Sequence, residues 1–153
     1  MNNHTPVSAI LDGKNHKVWT VPPSMTVYEA IALMAQKNIG SLPVVSGGFV
    51  IGLFTERDYT RKIALLGRSS KQTLVAEIVS CEVSMVTPET TIEECMRLMT
   101  ARRTRHLPVL QNGELVGIVS IGDLVNWTIS CQAAAIEQME QYIAGTHAAG
   151  VHA

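Results

Sequence analysis

Two heptapeptides carry the groups best able to do chemistry: Gly52-Leu53-Phe54-Thr55-Glu56-Arg57-Asp58 and Gly117-Ile118-Val119-Ser120-Ile121-Gly122-Asp123. Each runs from a glycine-led apolar stretch into a hydroxyl residue, with an aspartate three positions later. One reading of this [ST]-x-x-D pattern is structural, since a hydroxyl followed by an acid at that spacing caps a helix. Two details favour a ligand. In both stretches the acid is Asp, shorter than the usual Glu or Gln partner of a capping box. A strand-to-helix corner also leaves backbone N–H groups at a helix N-terminus, a favourable place for a phosphate. Asp58 and Asp123, one turn in, could then accept both hydroxyls of a ribose, at roughly 1.5–3 kcal/mol for each charge-assisted hydrogen bond.

The corners recur because the chain is duplicated. Residues 18–58 fall on residues 83–123 at an offset of 65 with no gap, and 13 of the 41 aligned positions are identical, among them Pro23/Pro88, Thr26/Thr91, Leu42/Leu107, Pro43/Pro108, Gly52/Gly117 and Asp58/Asp123. A long period occurring twice is not a solenoid array, which stacks three or more shorter units. It implies two copies of one small module facing each other, with paired sites between them. Half of a 153-residue chain would be marginal alone because so little of its surface could be buried, so the copies are expected to share a core or an interface.

Each copy spells the same elements. A short extended piece (18–21; 83–86) runs towards a proline. Ser24 or Thr26, and Thr90 or Thr91, offer helix N-caps. Apolar residues then recur at helical spacing, as Val27, Ala30, Ile31 and Met34, and as Ile92, Cys95, Met96 and Met99. Cys95 on that stripe reads as a core filler. Two strands follow, Leu42-Pro43-Val44-Val45 and 49–54 in the first copy, Leu107-Pro108-Val109-Leu110 and 115–119 in the second, each pair joined by turn chemistry at Ser46-Gly47-Gly48 or Gln111-Asn112-Gly113. Thr55 and Ser120 then open second helices over 56–66 and 121–130. Short helical lead-ins, 7–11 and 75–79, precede the copies. A separate tail helix over 132–143 places Ile136, Met139 and Ile143 on one stripe, a dock onto its own domain or a dimer face. His147 and His152 beyond it lack companion ligands in sequence.

The predicted fold class is α+β, two pseudo-twofold-related β-α-β-β-α modules packed into one globular unit. Module 1 takes residues 5–66, a linker 67–72, module 2 residues 73–131, and a C-terminal helix and flexible tail 132–153. A net charge of −1 gives the whole molecule no electrostatic reason to seek nucleic acid or an anionic membrane. The basic residues are unevenly spread, however: all twelve Lys and Arg lie at or before Arg105, four of them within 97–105. Three cysteines without CxxC spacing suit a reducing compartment. No signal peptide is legible, and no apolar run approaches the ~18 residues of a membrane span. A soluble, cytoplasmic protein is expected.

The duplicated set resembles the tandem CBS-domain pair, or Bateman module, over about residues 5–130. The resemblance rests on the two G-h-h-[ST]-x-x-D corners, on Gly40-Ser41-Leu42-Pro43-Val44 and Arg105-His106-Leu107-Pro108-Val109, and on the extended piece before each proline, all in register. Thr55-Glu56-Arg57-Asp58-Tyr59 and Arg105-His106-Leu107-Pro108 look most like the stand-alone bacterial CBS-pair proteins. The resemblance implies an adenine-nucleotide sensor with two clefts. Ribose would go to Asp58 and Asp123, and phosphate to Thr55 and Ser120. Adenine would lie near His16, Val18, Cys81 and Val83, with Ile39, Gly40 and Ser41 or Arg105 and His106 closing each cleft. The clefts differ: Gly40-Ser41 is small and neutral where Arg105-His106 is basic, and Arg57 stands where the second copy has Gly122. Arg57, Arg105 and His106 are therefore expected to converge on one polyphosphate.

No dinucleotide fingerprint, P-loop, zincin motif or nucleophile elbow occurs, and Glu56/Asp58 and Glu93/Glu94 splay to different helix faces. The expectation is a non-enzyme with no catalytic cofactor and no metal site. It would be a regulatory protein binding AMP, ADP, ATP or NAD and signalling through conformational or oligomeric change, with a second copy in a homodimer and a target protein as partners and with neither a membrane nor a nucleic acid. The alternative is a structural or interaction dimer with vestigial pockets.

Overall fold

A computed structural model describes residues 4–13, 17–80 and 82–151, with side chains described as far as residue 145. The capping threonines set the first long helix of each copy. Thr26 begins α2 (Val27–Lys37) by accepting a hydrogen bond from the Glu29 N–H at 3.2 Å, and Glu29 accepts one from the Thr26 N–H at 3.4 Å. Thr91 begins α5 (Ile92–Arg102) in the same way, accepting from the Glu94 N–H at 3.1 Å. Of the offered cap pairs, Thr26 and Thr91 therefore serve. Both helices stop at a left-handed residue, Asn38 (φ 54°) and Arg103 (φ 52°), which turns the chain into the following hairpin.

The hairpins are near copies. β1 (Ser41–Ser46) pairs antiparallel with β2 (Phe49–Thr55), and β3 (His106–Gln111) with β4 (Glu114–Ser120). Their tight turns need two residues at positive φ, supplied by Gly47 and Gly48 (58° and 83°) and by Asn112 and Gly113 (53° and 81°). Each hairpin carries a register shift at the same place, Val44/Val45 and Val109/Leu110. The expected leading strands shrink to single parallel pairings, Val21 with Val44 and Val86 with Val109. At each, one backbone N–H and one carbonyl are engaged: the Val21 N–H donates to the Pro43 carbonyl, and the Val45 N–H to the Val21 carbonyl.

After β2 the chain makes one α-helical turn, α3 (Glu56–Asp58), and continues as a π-helical stretch, Tyr59–Ala64. After β4 it enters a single helix, α6 (Ile121–Val151). This corrects the expectation of two helices, 121–130 and 132–143. Nothing between them breaks a helix, because Ser130, Cys131 and Gln132 include neither Gly nor Pro.

The lead-ins are exchanged. α1 (Ser8–Asp12) supplies Ile10 and Leu11, with Val7, to the core formed by Val86, Ile92, Cys95, Met99, Leu107, Val109, Val119 and Leu124 of the second copy. α4 (Val75–Ile78) supplies Val75 and Ile78 to the core of the first copy, with Val21, Val27, Ala30, Met34, Leu42, Val44, Phe54 and Ile63. Backbone hydrogen bonds fix both docks. The Val7 N–H donates to the Thr90 carbonyl (2.7 Å) and the Ile92 N–H to the Thr5 carbonyl (2.9 Å); the Val75 N–H donates to Met25 and the Val27 N–H to Thr73, both at 2.9 Å. Neither copy's core is complete without a segment that precedes the other, so the small modules are stabilised jointly.

Candidate functional site

Both corners form where expected, and both are already held by internal bonds. The Asp58 N–H donates to Thr55 Oγ1 at 3.2 Å, while the Thr55 N–H and hydroxyl donate to Asp58 Oδ2 at 3.0 and 3.1 Å. In the second copy the Asp123 N–H donates to Ser120 Oγ at 3.1 Å, and the Ser120 N–H to Asp123 Oδ2 at 2.8 Å. The premise that Asp is too short for a capping box is therefore wrong here. Thr55 is more extended (φ −124°) than Thr26 (φ −72°), where Glu serves, and this turn of the cap N–H brings it within reach of a shorter side chain. Nor are the corner N–H groups all open: the Glu56 N–H donates to the Gly40 carbonyl at 3.1 Å and the Ile121 N–H to the Arg105 carbonyl at 2.9 Å. Those bonds tie the residues before each Leu-Pro strand to the corner of their own copy. Asp58 has a further neighbour, since Lys62 Nζ lies 3.4 Å from its Oδ1 and donates to the Ile78 carbonyl at 2.7 Å.

Two adjoining cavities lie between the copies. The first, of about 200 Å³, is lined by Lys17, Val18, Trp19, Ile39, Gly40 and Ser41 from the first copy and by His106, Val116, Gly117, Ile118 and Ser120 from the second, with Leu11 of α1. It is mainly apolar, with hydroxyls at Ser41 and Ser120. The second, also about 200 Å³, is lined by Gly40, Thr55, Glu56, Arg57, Arg103, Thr104, Arg105 and His106. Three guanidinium groups against one carboxylate make it cationic. Gly40 and His106 belong to both. A Cβ on Gly40 would stand in ordinary contact with the imidazole, 3.6 Å from His106 Cε1, which places His106 against Gly40 from across the pseudo-dyad.

The structure thus groups the predicted residues unequally. Val18, Ile39, Gly40, Ser41, His106 and Ser120 meet in the first cavity, and Gly40, Thr55, Arg57, Arg105 and His106 in the second. The first cavity joins the extended piece of one copy to the corner of the other. Asp58 and Asp123 belong to neither lining and are bonded to the N–H groups of Thr55 and Ser120 in their own corners, Gly122 is exposed beside Ser120, and Val83 is half-buried outside the two linings. His16 and Cys81 lie outside the described residues. Arg57 does cross the interface, its Nη1 donating to the Arg103 carbonyl at 2.8 Å.

Sequence reasoning missed Lys17, Trp19, Leu11 and Arg103. Lys17 and Trp19 flank Val18, and adjacency to a predicted site residue was a usable signal. The Lys17 and Lys37 ammonium groups sit 4.5 and 4.2 Å from the Trp19 ring centroid, a cation–π arrangement that steadies the cavity wall. Leu11 arrives only through the exchange of lead-ins. Among the described residues no cluster of three or more His, Cys, Asp or Glu could hold a metal, and no helix is long and apolar enough to cross a membrane. Cys95 is fully buried, and burial with the nearby Glu94 pushes its thiol up to about 11 from 9.0.

A duplicated α+β module with exchanged lead-ins and two adjoining cavities between the copies defines a class of paired-module proteins. The chain belongs to the CBS domain family, which it matches over residues 7–65 and 75–130. It is 43% identical over 125 residues to the mitochondrial CBS domain-containing protein CBSX3 of Arabidopsis thaliana, a match covering 78% of this chain and 61% of that protein. The chain therefore spans about three-fifths of that relative. It is 37% identical over 128 residues to the CBS domain-containing protein YhcV of Bacillus subtilis, covering 84% of this chain and 91% of that one. Its fold matches a CBS-domain protein of Burkholderia ambifaria, described as a signal-transduction protein, with a TM-score of 0.80 at 50% identity, covering 82% of this chain and 95% of the other.

Proposed function

We propose that this chain is a non-catalytic regulatory module that senses an adenine nucleotide, AMP, ADP, ATP or NAD, between its two copies. The carrying observation is the division of labour between the adjoining cavities. An apolar space bounded by Val18, Ile39, Val116 and Ile118 suits a nucleobase, and a space ringed by Arg57, Arg103 and Arg105 suits phosphates. Each holds about 200 Å³, short of the roughly 300 Å³ at which ligand pockets begin. One ligand lying across Gly40 and His106 would use both. In this reading the Ser120/Asp123 corner receives the ribose of the first cavity, and Thr55 of the other corner faces the phosphate space.

The ligand acts by binding one arrangement of the modules, or of a homodimer, better than another, with a coupling of ~1–3 kcal/mol. The description of the Burkholderia relative as a signal-transduction protein supports this regulatory role. A second reading, a structural dimer with vestigial pockets, is favoured by the capping boxes, which account for both [ST]-x-x-D motifs without any ligand. Thermal denaturation with each nucleotide separates the two. At a hundredfold excess over Kd a ligand of the native state adds roughly 2.7 kcal/mol, or about 5–10 °C in Tm at this chain length. Calorimetric titration of an Asp58→Ala/Asp123→Ala variant that remains folded then assigns the ribose contacts. No shift with any of the four nucleotides refutes the sensor and leaves the structural dimer.

A further inference from the structure

The helix α6 carries a pattern that the clefts leave unused. Val125, Ile129, Gln132, Ile136, Met139 and Ile143 follow one another at alternating steps of four and three residues. That alternation is a heptad seam, the pattern by which one helix packs knobs into the holes of another. Leu124 sits in the core of the second copy and Trp127 packs against it, so the seam is turned away from the helix's own module. Its apolar members are 47% to 63% exposed. A furrow lined by Ala135, Gln138, Met139, Tyr142 and Ile143 runs beside it. Every described side chain from Gln132 to residue 145 is exposed, and an isolated helix of such length is marginal in water without apolar packing.

The family match ends at residue 130, before this part of the helix, so the projecting segment is not what builds the module. We infer that a second copy of this chain pairs its α6 with this one along residues 125–143.

Chemistry selects this occupant. The helix has no Lys or Arg, and its charged residues are Asp123, Glu137 and Glu140, which disfavours an anionic membrane surface or nucleic acid. A heptad seam is complementary to another heptad seam, and a twofold axis brings this one against itself. The positions flanking it are Asn126, Thr128, Ala133, Ala135, Glu140 and Tyr142, so pairing sets no carboxylate against another, and the alanines allow close approach. Gln132 is the single polar seam residue, a device that fixes register. Five half-exposed apolar side chains from each of two helices, at ~100 Å² apiece, bring together the roughly 1,000 Å² that a specific interface needs.

The seam supplies the dimer of the proposed function but does not depend on a nucleotide, so its test is run without one. Sedimentation equilibrium of the full chain up to about 100 μM is expected to give twice 16.6 kDa. Ile136→Glu/Met139→Glu, at positions exposed in the single chain, is expected to raise the dimer Kd at least ~100-fold while the circular dichroism of the modules is kept. Ile143→Glu serves as a second variant if the first misfolds. A larger assembly that halves in the variants also supports the seam. A 16.6 kDa wild-type particle throughout that range, or an assembly that the substitutions leave intact, overturns it.

Discussion

Gly52 and Gly117 occupy the same place in the repeat, yet adding one methyl group at each should have unequal consequences. A Cβ on Gly52 would stand 2.6 Å from Val79 Cγ2 and 2.8 Å from the Ser80 carbonyl oxygen. Ser80 is held there by its antiparallel pairing with Leu53, so backbone, not only a side chain, must move. Overpacking of this kind costs about 1–3 kcal/mol. A Cβ on Gly117 would meet only the end of Leu11, at 2.7 Å from Cδ2 and 3.2 Å from Cδ1, and a leucine can change rotamer for roughly 0.5–1.5 kcal/mol. Both variants regain about 0.4–1 kcal/mol because alanine restricts the unfolded chain. Gly117→Ala should therefore stay within ~1 kcal/mol of wild type, and Gly52→Ala should lose up to ~2.5 kcal/mol. Urea unfolding at constant m reads the difference directly. Leu11 lines the first cavity, so Gly117→Ala should also weaken nucleotide binding while sparing stability. Equal destabilisation by the two substitutions, or a larger loss at Gly117, would refute the reasoning.

Three further outcomes can be measured. Arg57→Ala and Arg105→Ala should each lower affinity for ATP by about tenfold or more and for adenosine hardly at all, by calorimetry; values within twofold of wild type for ATP would remove the polyphosphate site. The Cys95 thiol, raised to about 11 from 9.0, binds its proton more tightly in the folded state, so its contribution is fully present below pH 9 and is lost as pH rises towards 11. Wild type should thus lose up to ~2.7 kcal/mol more than Cys95→Ala over that window, and parallel urea midpoints for the two proteins would contradict it. Thr26→Ala and Thr91→Ala should each cost about 0.5–2 kcal/mol through loss of an N-cap, read in the same unfolding assay, and no change at either position would show that tertiary packing alone sets the helix start.

The duplication, the capped helices, the glycine-turned hairpins and the two corners were legible because each is a local pattern whose spacing repeats at one offset. Local chemistry decides whether Thr26 caps a helix or Gly47-Gly48 turns a hairpin, and it acts within a few residues. What tertiary structure decided is association. Val7-x-x-Ile10 and Val75-x-x-Ile78 are interchangeable as apolar lead-ins, so only the path of the chain settles that each docks on the other copy and carries Leu11 into the cleft. Asp58 and Asp123 were found as motif residues, but their commitment to the N–H groups of Thr55 and Ser120 depends on local backbone geometry, such as the extended φ of −124° at Thr55, which composition does not encode. The meeting of Val18 and Ser120 around one cavity likewise arises only when two incomplete cores close together, because neither half buries enough apolar surface to fix its own cleft.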